Sequence, residues 1–402
     1  MRIRIENVTL ITPTALVPQG AIDVENNIIT AVYGAPLPKP AQDAGFLCTD
    51  GAGLYAAPGF VDIHLHGGGG VEFMNASPEQ IRAGCAAHAR HGTTTLLPTT
   101  LAAPPELTLS MIRAVRAAQE ITTECTIAGV HLEGPFLSPA QSGAQSPDAL
   151  ALPAPELWDR LLDEWPGGVR MMGAAPELPG AMALGEALQK RGVTATIAHA
   201  DADYSVCMEA AAHGFTDITH IYSGCSMVHR KNGYRFGGVV EAGLLEDAFT
   251  VQMIADGKHL PPELLRLIYK CKGADKISLI TDALFAAGSD IPDGATLRQA
   301  NGMETVLEDG VMKLPDRQAF AGSVATMDRL VRNMVTLAGV PLWDAVTMAT
   351  ATPARVARLS AHKGRLAPGF DADIVLLDDT LKVRAVMACG TWVHGTDVFT
   401  VR

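Results

Sequence analysis

At 402 residues, 48% apolar and 18% charged, the chain can bury a large core beside a second, smaller unit, and its composition is that of an ordered protein rather than a disordered or fibrous one. A formal charge of −12 argues against an extended nucleic-acid or anionic-membrane surface, while leaving room for a local basic pocket. Seven cysteines spread along the chain without a CxxC pair describe reduced thiols in a cytoplasmic protein, not a disulfide framework or a thiolate zinc site.

The opening MRIRIENVTLI alternates charged and apolar residues where a signal peptide needs an unbroken apolar stretch, so it reads as a strand. No later segment offers the roughly 18 apolar residues of a membrane span. Residues 1–57 contain short alternating runs split by Pro and Gly, and the stretch from 365 to 402 repeats that texture. The two ends are expected to complete one small β-sandwich, since chain termini often lie close together.

Between them, apolar runs recur at 61–66, 93–99, 126–134, 169–177, 193–202, 217–224, 249–256 and 276–283. Strands buried on both faces of a helix-covered parallel sheet have this texture. Helix-like stretches at 77–92, 155–167, 185–192 and 204–214 separate some of them. Eight such units predict a (β/α)8 TIM barrel over 58–364. A doubly wound open sheet is the alternative, but it does not explain polar residues at the same end of so many strands.

Those polar residues carry the chemistry. His64 and His66 lie two apart in VDIHLH, so both rings face one side of a strand, as imidazole ligands for zinc or iron do. GGGG at 67–70 lacks the ordered spacing of a dinucleotide-binding loop. Glu133 ends the run GVHLEGPF, where a carboxylate is costly unless paired or ligated. His131, two residues earlier, faces the same way. The segment 138–156 reads as a long functional loop. His199 and His220 occupy equivalent positions on successive runs and complete, with Glu133, a His2Glu set that leaves room for water. Basic candidates for an anionic group are His229, Arg230, Lys231 and His259. Asp282 closes the last run and is placed to move a proton to and from a metal-activated water.

The motifs PGFVDIHLHG, HLEGPF, IADGKH, LITDA and AGSVATM, in this order over nearly the full length, resemble those of the N-acetylglucosamine-6-phosphate deacetylases of the amidohydrolase superfamily. The resemblance implies hydrolysis of an N-acetyl amide on an amino-sugar phosphate, one or two divalent ions per subunit, and a homodimer. It implies Glu133, His199 and His220 as metal ligands, His64 and His66 as ligands of a second ion, and Asp282 as base, then acid. It brings Arg230, reaching across the dimer, and His259 to the sugar phosphate, and Ala144, Gln145, Ser223, Gly224, Ala321, Gly322 and Ser323 to the substrate; His131, on the Glu133 face, is read from its position as a residue that orients a ligand or polarises the substrate carbonyl.

Several positions depart from the family pattern: Gln145 stands where it has a histidine, Ser223 and Gly224 stand where it has Asn-Ala, and HRKNG at 229–233 stands where it has an HREPG-like segment. They motivate two competing readings, an amidohydrolase for another N-acyl or cyclic amide, and a noncatalytic metal-binding homologue. No lysine ends a middle run, which weighs against the dihydroorotase type.

Overall fold

The computed structural model describes residues 1–36 and 45–395. The parts of the predicted end domain at 37–44 and 396–402 lie outside the described residues.

The barrel strands are Phe60–Leu65, Thr93–Pro98, Thr126–Ile127 continued by Val130–Glu133, Val169–Ala174, Thr194–Ile197, Phe215–Ile218, Thr250–Met253 and Ile277–Leu279. Each pairs in parallel with the next. A parallel bridge between Leu65 and Ala283 closes the ring, and one between Thr99 and His131 carries pairing past the break at residues 128–129. Most of these residues are buried on both faces, which accounts for the continuous apolar runs. The fold is the (β/α)8 barrel with a small β domain that the sequence predicts.

Helix Pro78–Ala89 starts where SPEQ forms a capping box: the Gln80 amide donates to Ser77 Oγ, and Ser77 N donates to Gln80 Oε1. The helix expected at 185–192 begins earlier, spanning Ala181–Lys190. Helices Pro105–Ile121 and Pro262–Lys272, which the sequence reading did not single out, cover further parts of the barrel. An antiparallel excursion, Thr296–Arg298, Glu304–Glu308 and Val311–Lys313, follows the last barrel strand, where no element was expected. Among the described residues no helix is long and apolar enough to cross a membrane.

Both chain ends build one hydrogen-bonded sheet. Arg2–Ile11 pairs with Leu16–Glu25 and with Tyr55–Pro58, and the latter pairs antiparallel with Ile374–Leu377. Alternation explains how this sheet joins the barrel. Ile374 and Leu376 enter the domain's own core with Ile5, Ile22 and Met387, whereas Val375 and Leu377 enter the barrel cluster. A fully buried side chain of this size contributes about 2 kcal/mol, so each face of one short strand helps fix the two units together.

Candidate metal centre and substrate cavity

His64 and His66 alternate with the fully buried Ile63 and Leu65, so the strand period places both imidazoles inside the barrel. His199, His220 and Asp282 follow the last residues of their strands, with φ of 44°, 25° and 47°. Left-handed backbone is uncommon outside glycine, and its recurrence at three strand ends turns three polar side chains over the mouth of the barrel.

Glu133 is the hub. Its Oε1 lies 2.8 Å from His220 Nε2, 3.1 Å from His199 Nε2 and 3.6 Å from His64 Nε2, and its Oε2 lies 3.4 Å from His66 Nε2. Asp282 Oδ1 is 3.1 Å from His66 Nε2 and 3.5 Å from His64 Nε2. Every one of these rings uses its other nitrogen to donate to an oxygen. His64 Nδ1 meets Gln252 Oε1 at 3.1 Å, His66 Nδ1 the Thr99 carbonyl at 3.2 Å, His199 Nδ1 the Gln141 carbonyl at 2.7 Å, and His220 Nδ1 the Ser223 carbonyl at 2.9 Å. Nδ1 therefore carries the proton, and in the neutral ring Nε2 presents a lone pair to the hub.

The charge pattern is that of a cation site. Burial disfavours charge on His220 and keeps it below the usual histidine range despite Glu133. Its neutral lone pair then faces a carboxylate at 2.8 Å, a repulsive contact that a cation between them relieves. Burial also opposes protonation of His64, but Glu133 and Asp282 outweigh it and bring the ring up to about 9. Burial pushes Glu133 and Asp282 upward as well, and the surrounding histidines hold both below the usual carboxylate range. The ligand atoms of Glu133, His199 and His220 lie within 4.8 Å of one another, as do those of His64, His66 and Glu133. Two overlapping triads of nitrogen and oxygen donors fit a divalent metal. Their orienting hydrogen bonds are the kind that metal-binding histidines make.

A cavity of about 210 Å3 opens above the hub. His66, Glu133, His199, His220 and Asp282 line it, together with Ala144, Gln145, Ser223, Gly224, His259, Ala321 and Gly322. His259 is fixed by Asp256, whose Oδ2 meets His259 Nδ1 at 2.8 Å, and its ring packs 4.9 Å from that of Phe320.

Three substrate candidates do not line the cavity. His131 is fully buried beneath it, edge-on to His64 with ring centres 4.8 Å apart, its Nδ1 donating to the Ile63 carbonyl. Burial first, and the neighbouring His64 next, depress it to about 3, so it stays neutral. Ser323 is also fully buried and acts as a clip, donating its hydroxyl to the Thr281 carbonyl and its amide to that of Asp282. Arg230 projects on the exposed hairpin formed by His229–Lys231 and Tyr234–Phe236. The sequence reading also missed Gln299 and Phe320 on the cavity wall, and Gln252 and Asp217 behind His64. The last two were detectable as polar residues inside apolar runs; Gln299 lies in the excursion and Phe320 in the segment that follows it, and neither has such a pattern.

A model of the amidohydrolase family matches residues 55–396. The chain is 32% identical to an N-acetylgalactosamine-6-phosphate deacetylase from Escherichia coli O157:H7, covering 96% of each chain. It is 33% identical to the human N-acetylglucosamine-6-phosphate deacetylase, covering 87% of this chain and 85% of the relative. Among solved structures, the N-acetyl-D-glucosamine-6-phosphate deacetylase of Mycobacterium smegmatis, in a complex of a mutant with N-acetyl-D-glucosamine-6-phosphate, superposes with a TM-score of 0.87 at 34% identity, covering 98% of this chain and 99% of the other. The deacetylase of Thermotoga maritima gives 0.83 at 28% identity, covering 97% and 99%. With a family model spanning most of its length and relatives of this similarity along nearly all of it, the chain belongs to the amidohydrolase family.

Proposed function

We propose that the chain is a metal-dependent deacetylase that hydrolyses the N-acetyl amide of an amino-sugar phosphate, N-acetylglucosamine 6-phosphate foremost, to acetate and the amino-sugar phosphate. The observation that carries this reading is one cavity lined by the Glu133, His199 and His220 cluster, by Asp282 and by His259.

Glu133, His199 and His220 would hold one divalent ion, and His64 with His66 a second; the mixed nitrogen and oxygen donors suit zinc, with iron the alternative. When bound, the metal polarises the acyl carbonyl and lowers the pKa of water. Asp282, ionised at neutral pH, accepts the proton of the attacking water and delivers it to the departing nitrogen as the amide bond breaks. Asp282 Oδ1 lies 3.1 Å from His66 Nε2, which keeps the proton-transferring carboxylate beside the ligand cluster. His259, held in place by Asp256 on the cavity wall, is the phosphate contact on this side.

Arg230 supplies the second phosphate contact, from a partner copy in a homodimer. Exposed Met227, Val228, Tyr234 and Phe236 surround it on the hairpin and offer an apolar surface for that contact. The free cysteines, most of them at least partly buried, suit a cytoplasmic protein.

The N-acetylgalactosamine-6-phosphate deacetylase among the relatives, and the departures at Gln145, Ser223 and Gly224, favour a second reading in which the preferred sugar is the galactosamine epimer. Acetate release by metal-loaded protein from both 6-phosphates, and from both unphosphorylated sugars, tests the proposal. Turnover confined to the phosphates supports it, and the faster epimer identifies the substrate. Absence of acetate from all four, with metal bound, overturns it.

A further inference from the structure

The cavity wall holds one polar side chain whose hydrogen bonding is incomplete. Gln299 is 3% exposed, and its side-chain carbonyl Oε1 is enclosed without a hydrogen-bond partner. Of the buried side-chain atoms in that condition among the described residues, it is the one that belongs to a residue lining the cavity. Burying an acceptor without a donor is costly, and native proteins keep such groups chiefly where a ligand or a function uses them.

The backbone around Gln299 is pinned. Gln299 N donates to the Met303 carbonyl, and the Gln299 carbonyl accepts from Gly302 N, both at 2.9 Å. Ala300 N donates to both carboxylate oxygens of Glu72, at 2.9 and 2.8 Å. Asn301 Nδ2 reaches the Ala144 carbonyl at 3.4 Å, tying the excursion to the loop that carries Gln145. The side chain is thus presented to the cavity by a loop anchored at Gln299 itself and at the two residues that follow it, which gives the geometric definition a recognition group needs.

We propose that Gln299 is a specificity-determining residue whose side-chain amide binds a ring hydroxyl of the sugar. The inference rests on the deacetylase reading above. A glutamine amide offers an acceptor and donors, which matches a hydroxyl that both donates and accepts, whereas the substrate's amide N–H only donates. A site built to hydrogen-bond a hydroxyl discriminates strongly against a substrate lacking it, because its buried polar group is then left unpaired.

The test compares wild type with Gln299→Leu and Gln299→Met on two substrates: the preferred N-acetylamino-sugar 6-phosphate, and N-acetylethanolamine phosphate, which has the amide and the phosphate but no ring hydroxyl. Melting temperature and bound metal are recorded for each protein. Gln299→Met, closer in shape to glutamine, covers the case in which leucine disturbs the loop. The expected result is a fall in kcat/KM for the sugar of about 10- to 100-fold relative to the fall for the acyclic substrate, with metal content unchanged. An equal fall on both substrates assigns Gln299 a structural role and overturns the inference, as does no fall on either. If wild type releases no acetate from any amino-sugar phosphate, the deacetylase reading itself has failed, which the wild-type arm alone reveals.

Discussion

Gln145 donates its side-chain amide to Glu133 Oε2 at 2.8 Å while its Oε1 accepts from Ala102 N at 2.7 Å. Both ends of a side chain only 4% exposed are thereby committed within the protein, and the residue fixes the hub carboxylate besides bordering the cavity. Replacing Gln145 by Ala frees one oxygen of Glu133 and leaves the Ala102 amide unpaired. Metal affinity is expected to drop about 10- to 100-fold and stability by about 1–3 kcal/mol. Chelator competition and thermal unfolding check the two effects, and unchanged affinity would show that Gln145 does not orient Glu133.

Gly224 has φ +58°, and a Cβ built there meets His199 Nδ1 at 2.7 Å, the atom that donates to the Gln141 carbonyl. Glycine here spares His199 rather than merely enlarging the cavity. Gly224→Ala, which installs the residue the family pattern has here, requires the His199 ring to shift and is expected to lower bound metal modestly, whereas Ser223→Ala should leave bound metal intact, since the Ser223 contact with His220 uses its backbone carbonyl. Metal content of the two purified variants decides the point; full loading of Gly224→Ala contradicts it.

Gln252 accepts from His64 Nδ1 and donates to Asp217 Oδ2 at 2.7 Å, and Asp217 is further held by Thr250. This chain orients His64 and leaves the His199 and His220 side untouched. Gln252→Leu should therefore weaken metal binding at the His64–His66 position about 10- to 100-fold while sparing the Glu133–His199–His220 position. A two-phase metal titration that loses only its second phase is the expected result. Loss of both phases together would show a single coupled site.

Much of this arrangement is visible in the chain before folding, because the barrel forces it to be. Strands buried on both faces leave few polar residues, so His64, His66, Glu133, His199, His220 and Asp282 stand out from their apolar runs. Gln299 and Phe320 do not, because the excursion that carries Gln299 has short, partly exposed strands with no strong period, and Phe320 follows it outside any strand. Sequence spacing set His131 on the Glu133 face of its strand but not its depth, and two residues along a strand proved enough to take it below the cavity. Arg230 and His259 both looked like phosphate contacts. Folding buries His259 against Asp256 and exposes Arg230 on a hairpin, a distinction that local sequence does not contain.

In the metal-free protein His64 stands at about 9, held up by Glu133 and Asp282 against its burial. The proton and the cation compete for the same ring, and the neutral form is the ligand. Raising the pH therefore removes the competing proton. Affinity at the His64–His66 position should climb by about tenfold per pH unit up to about 9 and then level. Metal-buffered titrations at three pH values measure the slope; affinity that is flat or falls across this window contradicts the protonation state of the hub.

The most direct test of the central claim is acetate release by wild type and Asp282→Asn, with metal content measured on the same samples. Asparagine keeps the shape but cannot accept the proton of water, so the variant is expected to retain its metal and lose about a thousandfold or more in kcat/KM. An Asp282→Asn protein that holds metal and turns over at the wild-type rate would contradict the assignment of Asp282 as the proton carrier, and with it the mechanism proposed for this site.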